Sequence, residues 1–232
     1  MKSEIQICTG EHNKMIKAVV FDLDGTLTNT MPDLIITISE VREVYGLPPI
    51  TEEEVLSAVN LSTPEFIKLC MSQLPTEEQK EEAVGVYLEH YKNHMVDKTH
   101  PYDGIVKLLH KLRDEGKKIA VLSNKDDINV KFICDTFFRG LIDEPWGKRD
   151  EYPGKPDPTS AFALMKVLGC EPREIAYIGD SDVDMKTGRN AGFVTVGASW
   201  GYSPAEILRE TGAEYIVDSA ADFGKLIDKL DS

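Results

Sequence analysis

Residues 16–21 form an apolar run that gives way at once to Asp22-Leu23-Asp24-Gly25-Thr26-Leu27, and the change predicts a buried β-strand broken at Gly25. From about residue 100 the pattern alternates. Helical spacing covers 105–115, with Gly116 placed to end the helix, and an apolar strand follows at 118–122, ending in Ser123-Asn124. Helical spacing returns at 128–137 and at 159–168, where Phe162, Met165 and Leu168 mark it. Further strands are predicted at 175–178, ending in Gly179-Asp180, at 193–196, and at 215–217 before a terminal helix. Ser203-Pro204-Ala205-Glu206 predicts a capping box with proline in the first turn. Strands and helices that alternate in this way build a mostly parallel sheet covered on both faces.

Residues 31–98 break the rhythm, because they read as helical throughout. Leu34, Ile35, Ile38, Val41 and Tyr45 fall at helical spacing, and Thr51-Glu52-Glu53-Glu54 and Thr76-Glu77-Glu78-Gln79 are two more capping boxes. Thr63, ahead of Pro64, is expected to cap a helix that carries Phe66, Ile67, Leu69 and Cys70. An insertion after the first strand sits over the carboxyl ends of the strands, where open α/β sheets place ligands. It therefore reads as a lid that moves on its two connections, 29–32 and 99–103. The expected fold is α/β, a Rossmann-like parallel sheet core with a helical cap inserted after the first strand. Residues 1–30 and 99–232 are assigned to the core and 31–98 to the cap.

Composition narrows the function. The net charge of −14 argues against nucleic acid or an anionic membrane as partner. It also means that an anionic substrate needs a local positive centre, either a bound metal or a lysine aimed at the site. No stretch is long and apolar enough to span a bilayer, and residues 1–15 lack the apolar core of a signal peptide and read as a partly ordered extension. Cys8, Cys70, Cys134 and Cys170 include no C-x-x-C pair, which favours reduced thiols and a cytoplasmic location. A monomer and a homodimer are both compatible with the chain.

Asp22 and Asp24 lie two apart on a strand end and so share a face. Two anions that close repel unless a cation or a shared proton intervenes. One reading is a hard divalent metal site in which one carboxylate also attacks a substrate; the other is an acidic strand-to-turn junction. Ser123-Asn124 offers a hydroxyl to a phosphoryl oxygen, although the same pair is a common turn. Lys155, held between Gly154 and Pro156, either balances the two aspartates and holds a transferred phosphate or is a solvated loop lysine. Asp180 ends a strand and Asp184 lies about one helical turn further on. A calcium loop is excluded by Met185 and Ala191, whereas a magnesium site of one or two carboxylates with waters and substrate phosphate fits. His90 and His94, four apart on a charged helix, read as solvated, and Trp146 and Trp200 as packing or loop-anchoring residues, Trp200 also bordering the site mouth.

Taken in order, Asp22-Leu23-Asp24-Gly25-Thr26-Leu27, Ser123-Asn124, Lys155-Pro156 and Gly179-Asp180-Ser181-Asp182-Val183-Asp184 resemble the four motifs of haloacid dehalogenase-like hydrolases. Gly179 through Gly192, with Asn190-Ala191-Gly192 and then Trp200-Gly201, is similar to the phosphoglycolate phosphatase branch. The resemblance implies a phosphatase in which Asp22 attacks phosphorus to give an aspartyl-phosphate and Asp24 serves as general acid and then base. It implies Mg²⁺ held by the Asp22 carboxylate, the Asp24 main-chain carbonyl and Asp180, with Asp184 in support directly or through water. Ser123, Lys155 and the backbone amides near Gly25 and Asn124 would bind the phosphoryl oxygens.

An acid at position 24 favours ester hydrolysis over the family's dehalogenases and phosphonatases, and Gly179 ahead of Asp180 argues against its sugar phosphomutases. In this family the cap selects the substrate, which singles out Asn60 and Ser62 in the turn 60–63; relatives often carry glycine near Asn60. The substrate implied is a small phosphorylated metabolite, with 2-phosphoglycolate foremost. An inorganic pyrophosphatase, a nucleotidase or a sugar-phosphate phosphatase would use the same frame. A catalytically silent metabolite-binding regulator is opposed by the presence of both Asp22 and Asp24.

Overall fold

The computed structural model describes residues 15–232. The amino-terminal extension expected over 1–15 therefore lies, except for Met15, outside the described residues, as does Cys8. Strand β1 (Ala18–Phe21) is followed by a two-residue strand β2 (Thr28–Asn29). Four helices come next: α1 (Met31–Val44), α2 (Glu52–Leu56), α3 (Thr63–Cys70) and α4 (Glu77–His94). The chain returns through β3 (His100–Pro101) to α5 (Ile105–Asp114), β4 (Lys118–Asp126), α6 (Asp127–Phe137) and β5 (Glu144–Lys148). The last third runs α7 (Thr159–Leu168), β6 (Ile175–Gly179), α8 (Asp182–Ala191), β7 (Val194–Ala198), α9 (Ala205–Thr211), β8 (Tyr215–Val217) and α10 (Ala220–Leu230).

Six strands form one parallel sheet in the order β5-β4-β1-β6-β7-β8, with β1 at the centre between β4 and β6. Strand alternation sorts the core into two faces. Val19 and Phe21 of β1, Ile119 and Val121 of β4, and Ala176 and Ile178 of β6 point to the face covered by α5, α6 and α10. Ala18, Val20, Ala120, Leu122, Ile175 and Tyr177 point to the other, against Ala161, Leu164 and Leu168 of α7. Burial on both faces is what gives these strands unbroken apolar runs rather than an alternation.

The four inserted helices form the helical cap. Leu34, Ile38 and Val41 of α1, Phe66 and Ile67 of α3, and Tyr87 and Tyr91 of α4 bury their side chains in a cluster continuous with the α5/α10 face of the core. The chain enters and leaves the cap side by side: Thr28 pairs with Pro101 and Asn29 with His100 in a two-stranded antiparallel ribbon. A buried carboxylate, Asp33, sits just inside the entry and accepts hydrogen bonds from the Lys98 N–H (2.9 and 3.0 Å) and the Thr99 N–H (2.8 Å) at the exit. Among the described residues no helix is long and apolar enough to cross a membrane.

Three local expectations are corrected. Ser62, not Thr63, stands at the N-cap of α3, where its N–H and hydroxyl donate to the Glu65 carboxylate at 3.3 and 2.6 Å. Thr63 begins the helix and instead donates to Asp126 of β4 at 3.1 Å. Helix α9 starts after Pro204 with no side-chain cap, so Ser203 makes no capping box there. The strand predicted at 118–122 runs on to Asp126, because β5, which the pattern does not reveal, pairs with it from Ala120↔Glu144 to Asp126↔Lys148 across a bulge.

Replacing Asp33 with alanine leaves the buried Thr99 N–H and the part-buried Lys98 N–H without their acceptor. Urea denaturation of Asp33→Ala is expected to show a loss of about 3 kcal/mol. A loss below about 0.5 kcal/mol, the level of an ordinary surface change, would mean that the clip contributes nothing to the junction.

Candidate active site

The carboxyl ends of β1, β4 and β6 and the loop before α7 converge under the cap. Asp22 and Asp24 leave β1 on either side of Leu23, whose side chain is fully buried and fixes the direction of both. Lys155 is the hub. Its ammonium donates to Asp22 Oδ1 at 2.8 Å, to Asp184 Oδ1 at 2.6 Å and to the Tyr177 hydroxyl at 3.2 Å. The Tyr177 hydroxyl in turn donates to Asp184 Oδ1 at 2.9 Å. The other Asp184 oxygen accepts from the N–H and hydroxyl of Ser181, at 3.1 and 2.5 Å, in a capping box that fixes the first turn of α8.

Asp180 is fully buried and held by the Thr26 hydroxyl and the Tyr202 N–H, both donating at 2.8 Å. Two glycines make room for it. Gly25 has φ +84°, and a Cβ there would lie 2.2 Å from Asp180 Oδ2; a Cβ on Gly201 would lie 2.2 Å from Asp180 Cβ. The Trp200 indole N–H donates to the Thr26 carbonyl at 3.0 Å and anchors that loop, which realises its expected role.

Asp22, Asp180 and Asp184 bring carboxylate oxygens within 4.8 Å of one another, all buried. Burial, and then the charge of Asp184, push Asp22 up from 3.8 to about 7 against the pull of Lys155. Burial with Asp184 and Asp22 nearby also raises Asp180 well above the ordinary carboxylate range. Burial works against charge on Lys155, yet Asp184 and Asp22 hold its pKa well above the usual lysine value. Three carboxylates around one ammonium leave negative charge unbalanced in a dry site. An all-oxygen donor set of this kind fits a hard divalent cation.

Asn124 clips the lysine loop. Its Oδ1 accepts from the Lys155 N–H at 2.8 Å, and its amide donates to the carbonyls of Lys155 (3.1 Å) and of Asn60 in the cap (3.0 Å). Asp22, Asp24, Asn60, Ser123, Asn124 and Lys155 line one cavity of about 20 Å³, room for about one water molecule. Of the expected residues, Gly25 serves as the cradle of Asp180, and Ser62 does not line the cavity because its hydroxyl is engaged in capping α3. His90 and His94 lie elsewhere, both against Glu40 at 3.1 and 3.4 Å. Trp146 stacks on Tyr152 at 6.0 Å and carries Arg149 over its ring at 4.1 Å, a packing role.

One charged residue of the cavity carries no signal in the apolar pattern of the sequence. Lys125 donates to both Asp24 oxygens, at 3.1 and 3.0 Å, and is nearly buried. A strand that ends at Leu122 with Ser123-Asn124 gives Lys125 no place at the site. The signal that would have found it is its position two residues past Ser123, on the same face of a strand that continues.

With this geometry established, comparison with known proteins gives the class. The haloacid dehalogenase-like hydrolase family model matches residues 19–198, and the chain belongs to that family. Within it the chain falls in the phosphoglycolate-phosphatase-like branch. It is 28% identical over 226 residues to a phosphoglycolate phosphatase of Haemophilus influenzae, covering 94% of this chain and 100% of that one. It is 31% identical over 222 residues to an N-acetylmuramic acid 6-phosphate phosphatase of Pseudomonas aeruginosa, covering 93% and 95%. The crystal structure of a predicted phosphoglycolate phosphatase from Haemophilus somnus superposes with a TM-score of 0.84 at 26% identity, over 92% of this chain and 99% of that one. Fold, carboxylate cluster and relatives together define a phosphoric monoester hydrolase of the phosphoaspartate type.

A carboxyl group whose folded pKa of about 7 lies above its ordinary 3.8 binds protons more tightly folded than unfolded. Its contribution to stability therefore falls as pH rises from about 4 to about 7. A divalent cation reverses that loss but competes with protons at low pH. Saturating Mg²⁺, at 100 times its Kd, is expected to add about 2.7 kcal/mol at pH 8 and much less at pH 5.5, read as a shift in melting temperature. An equal shift at both pH values would show that the cation binds elsewhere.

Proposed function

We propose that this protein is an Mg²⁺-dependent phosphatase that hydrolyses a small phosphate monoester, 2-phosphoglycolate, through an aspartyl-phosphate intermediate in the cytoplasm. The observation that carries the reading is the buried ion pair of Asp22 with Lys155, set beside Asp180 and Asp184 at the end of the central strand. A carboxylate pinned by an ammonium through one oxygen keeps the other for attack. Asp22 forms the new bond to phosphorus as the ester P–O bond breaks, and Asp24 delivers its proton to the leaving alcohol oxygen. Asp24 then takes a proton from water, which attacks the same phosphorus; the bond to Asp22 breaks, and phosphate leaves with the carboxylate restored.

Asp22 and Asp180, with the Asp24 main-chain carbonyl and Asp184 in support, would hold the metal. When bound, it screens the negative charge of nucleophile and phosphate from one another. The Ser123 hydroxyl, the Lys155 ammonium and the amides near Gly25 and Asn124 take the equatorial oxygens, where charge spreads in the transition state. Residues 31–98 act as the cap, and Asn60, whose carbonyl is tied to Asn124, is its substrate-facing residue.

A small substrate is supported by the phosphoglycolate phosphatase of H. influenzae, which this chain spans from end to end. A second reading, a sugar-phosphate phosphatase, has the 31% identical N-acetylmuramic acid 6-phosphate phosphatase in its favour.

Phosphate release from a panel of esters, including these two and pyrophosphate, separates the readings. The expected result is a preference for 2-phosphoglycolate, loss of turnover on chelation, and a drop of roughly ten-thousand-fold or more in Asp22→Asn. Turnover that survives Asp22→Asn would remove Asp22 as nucleophile, and a preference for the sugar phosphate would transfer the assignment to the second reading.

A further inference from the structure

Lys125 is the second ammonium in the cavity, and the steps written above give it no work. It lies in β4, two residues past Ser123, and both oxygens of Asp24 accept from its Nζ, at 3.1 and 3.0 Å. Its ammonium stands 5.0 Å from the ring centroid of Tyr91, a residue of the cap helix α4 that stacks on Tyr87 at 5.2 Å. The Tyr91 hydroxyl is buried and has no hydrogen-bond partner among the described residues. So one cation reaches from the proposed acid–base residue of the core to an aromatic face of the cap, and that aromatic residue carries a hydroxyl with unmet hydrogen-bonding capacity.

Two conditions then conflict. Asp24 must exchange a proton with the leaving oxygen, yet both of its oxygens accept from Lys125. Lys125 in turn cannot simply withdraw, because a nearly buried ammonium without an anion carries a large desolvation penalty. A carboxylate on the leaving alcohol resolves both conditions, since it gives the ammonium a new anion next to the ester oxygen and frees Asp24.

We infer that Lys125 reads a carboxylate on the leaving group of the substrate: on binding, its ammonium passes from Asp24 to that carboxylate, and the Tyr91 hydroxyl donates to the same group. The inference rests on the phosphatase reading above and deepens it by naming the substrate class, phosphate esters of small hydroxy acids. An ester with a neutral leaving group leaves Lys125 on Asp24, so discrimination falls on kcat as well as on KM. The H. influenzae relative is named for an ester of this class, phosphoglycolate.

The test uses matched esters with and without the carboxylate: 2-phosphoglycolate against 2-hydroxyethyl phosphate, and 2-phospholactate against 1-hydroxypropan-2-yl phosphate. The wild type is expected to favour the acid of each pair by about 100-fold or more in kcat/KM, part of it in kcat. Lys125→Met is expected to bring both ratios to within about threefold, Lys125→Arg to restore part of them, and Tyr91→Phe to lower them by roughly tenfold. A general disturbance of the site lowers both members of a pair alike and cancels in the ratio. If Lys125→Met leaves the ratios at their wild-type values, or if the wild type shows no preference within either pair, the assignment is overturned. Should Lys125→Met fail to fold, Tyr91→Phe and Lys125→Arg decide by the same ratios. A wild type that ignores 2-phosphoglycolate but still favours 2-phospholactate would sink the 2-phosphoglycolate reading while leaving Lys125 its role.

Discussion

The ammonium of Lys155 stands between Asp22 and Asp184, and the rest of the site is arranged around that contact. Three carboxylates cannot share one dry corner of a protein without a cation or a shared proton among them. The lysine is placed by its loop, the loop is held by Asn124, and Asn124 also grips the cap through Asn60. A single electrostatic requirement at the sheet edge thus sets the position of a loop, a strand end and the turn between two cap helices. Charge that remains unbalanced after Lys155 is what suits the corner to a divalent ion.

Much of this was legible in the chain because the sheet is buried on both faces. Strands covered on two sides show as solid apolar runs, so β1, β4, β6, β7 and β8 stand out, and their polar ends mark one edge of the sheet. Asp22, Asp24, Ser123, Asn124 and Asp180 could be placed together for that reason, whereas Lys155 showed only through its setting between Gly154 and Pro156. Strand β5 could not, since Glu144-Pro145-Trp146-Gly147-Lys148 has neither alternation nor an apolar run and exists only by pairing with β4. The same omission hid Lys125, because without β5 nothing in the sequence extends β4 beyond Ser123-Asn124. The N-cap of α3 was misplaced by one residue for a different reason: Ser62 and Thr63 are equally good caps locally, and contact of Thr63 with Asp126 across the cap boundary decides between them.

The closed arrangement changes the strength of every polar contact it covers. With cap and core apolar groups in one continuous cluster, the polar links across the boundary lie where water is scarce. Charge–charge and charge–dipole terms there act at low effective dielectric, which favours a transition state whose charge is met by fixed groups. The glycines at 25 and 201 serve the same end from below, since any side chain at either position would displace Asp180.

The ribbon formed by Thr28-Asn29 and His100-Pro101 brings the two ends of the inserted helices together as adjacent partners, away from the six-stranded sheet. The sheet's own hydrogen bonds do not depend on what the ribbon carries. Closing a loop on such a ribbon costs only slightly more as the loop lengthens. The insertion is therefore a replaceable module: helices of other number or length can be mounted on the same two strands while the catalytic edge stays fixed. Substrate range in such a scaffold can diverge by exchange of one part, at a rate independent of the chemistry beneath it.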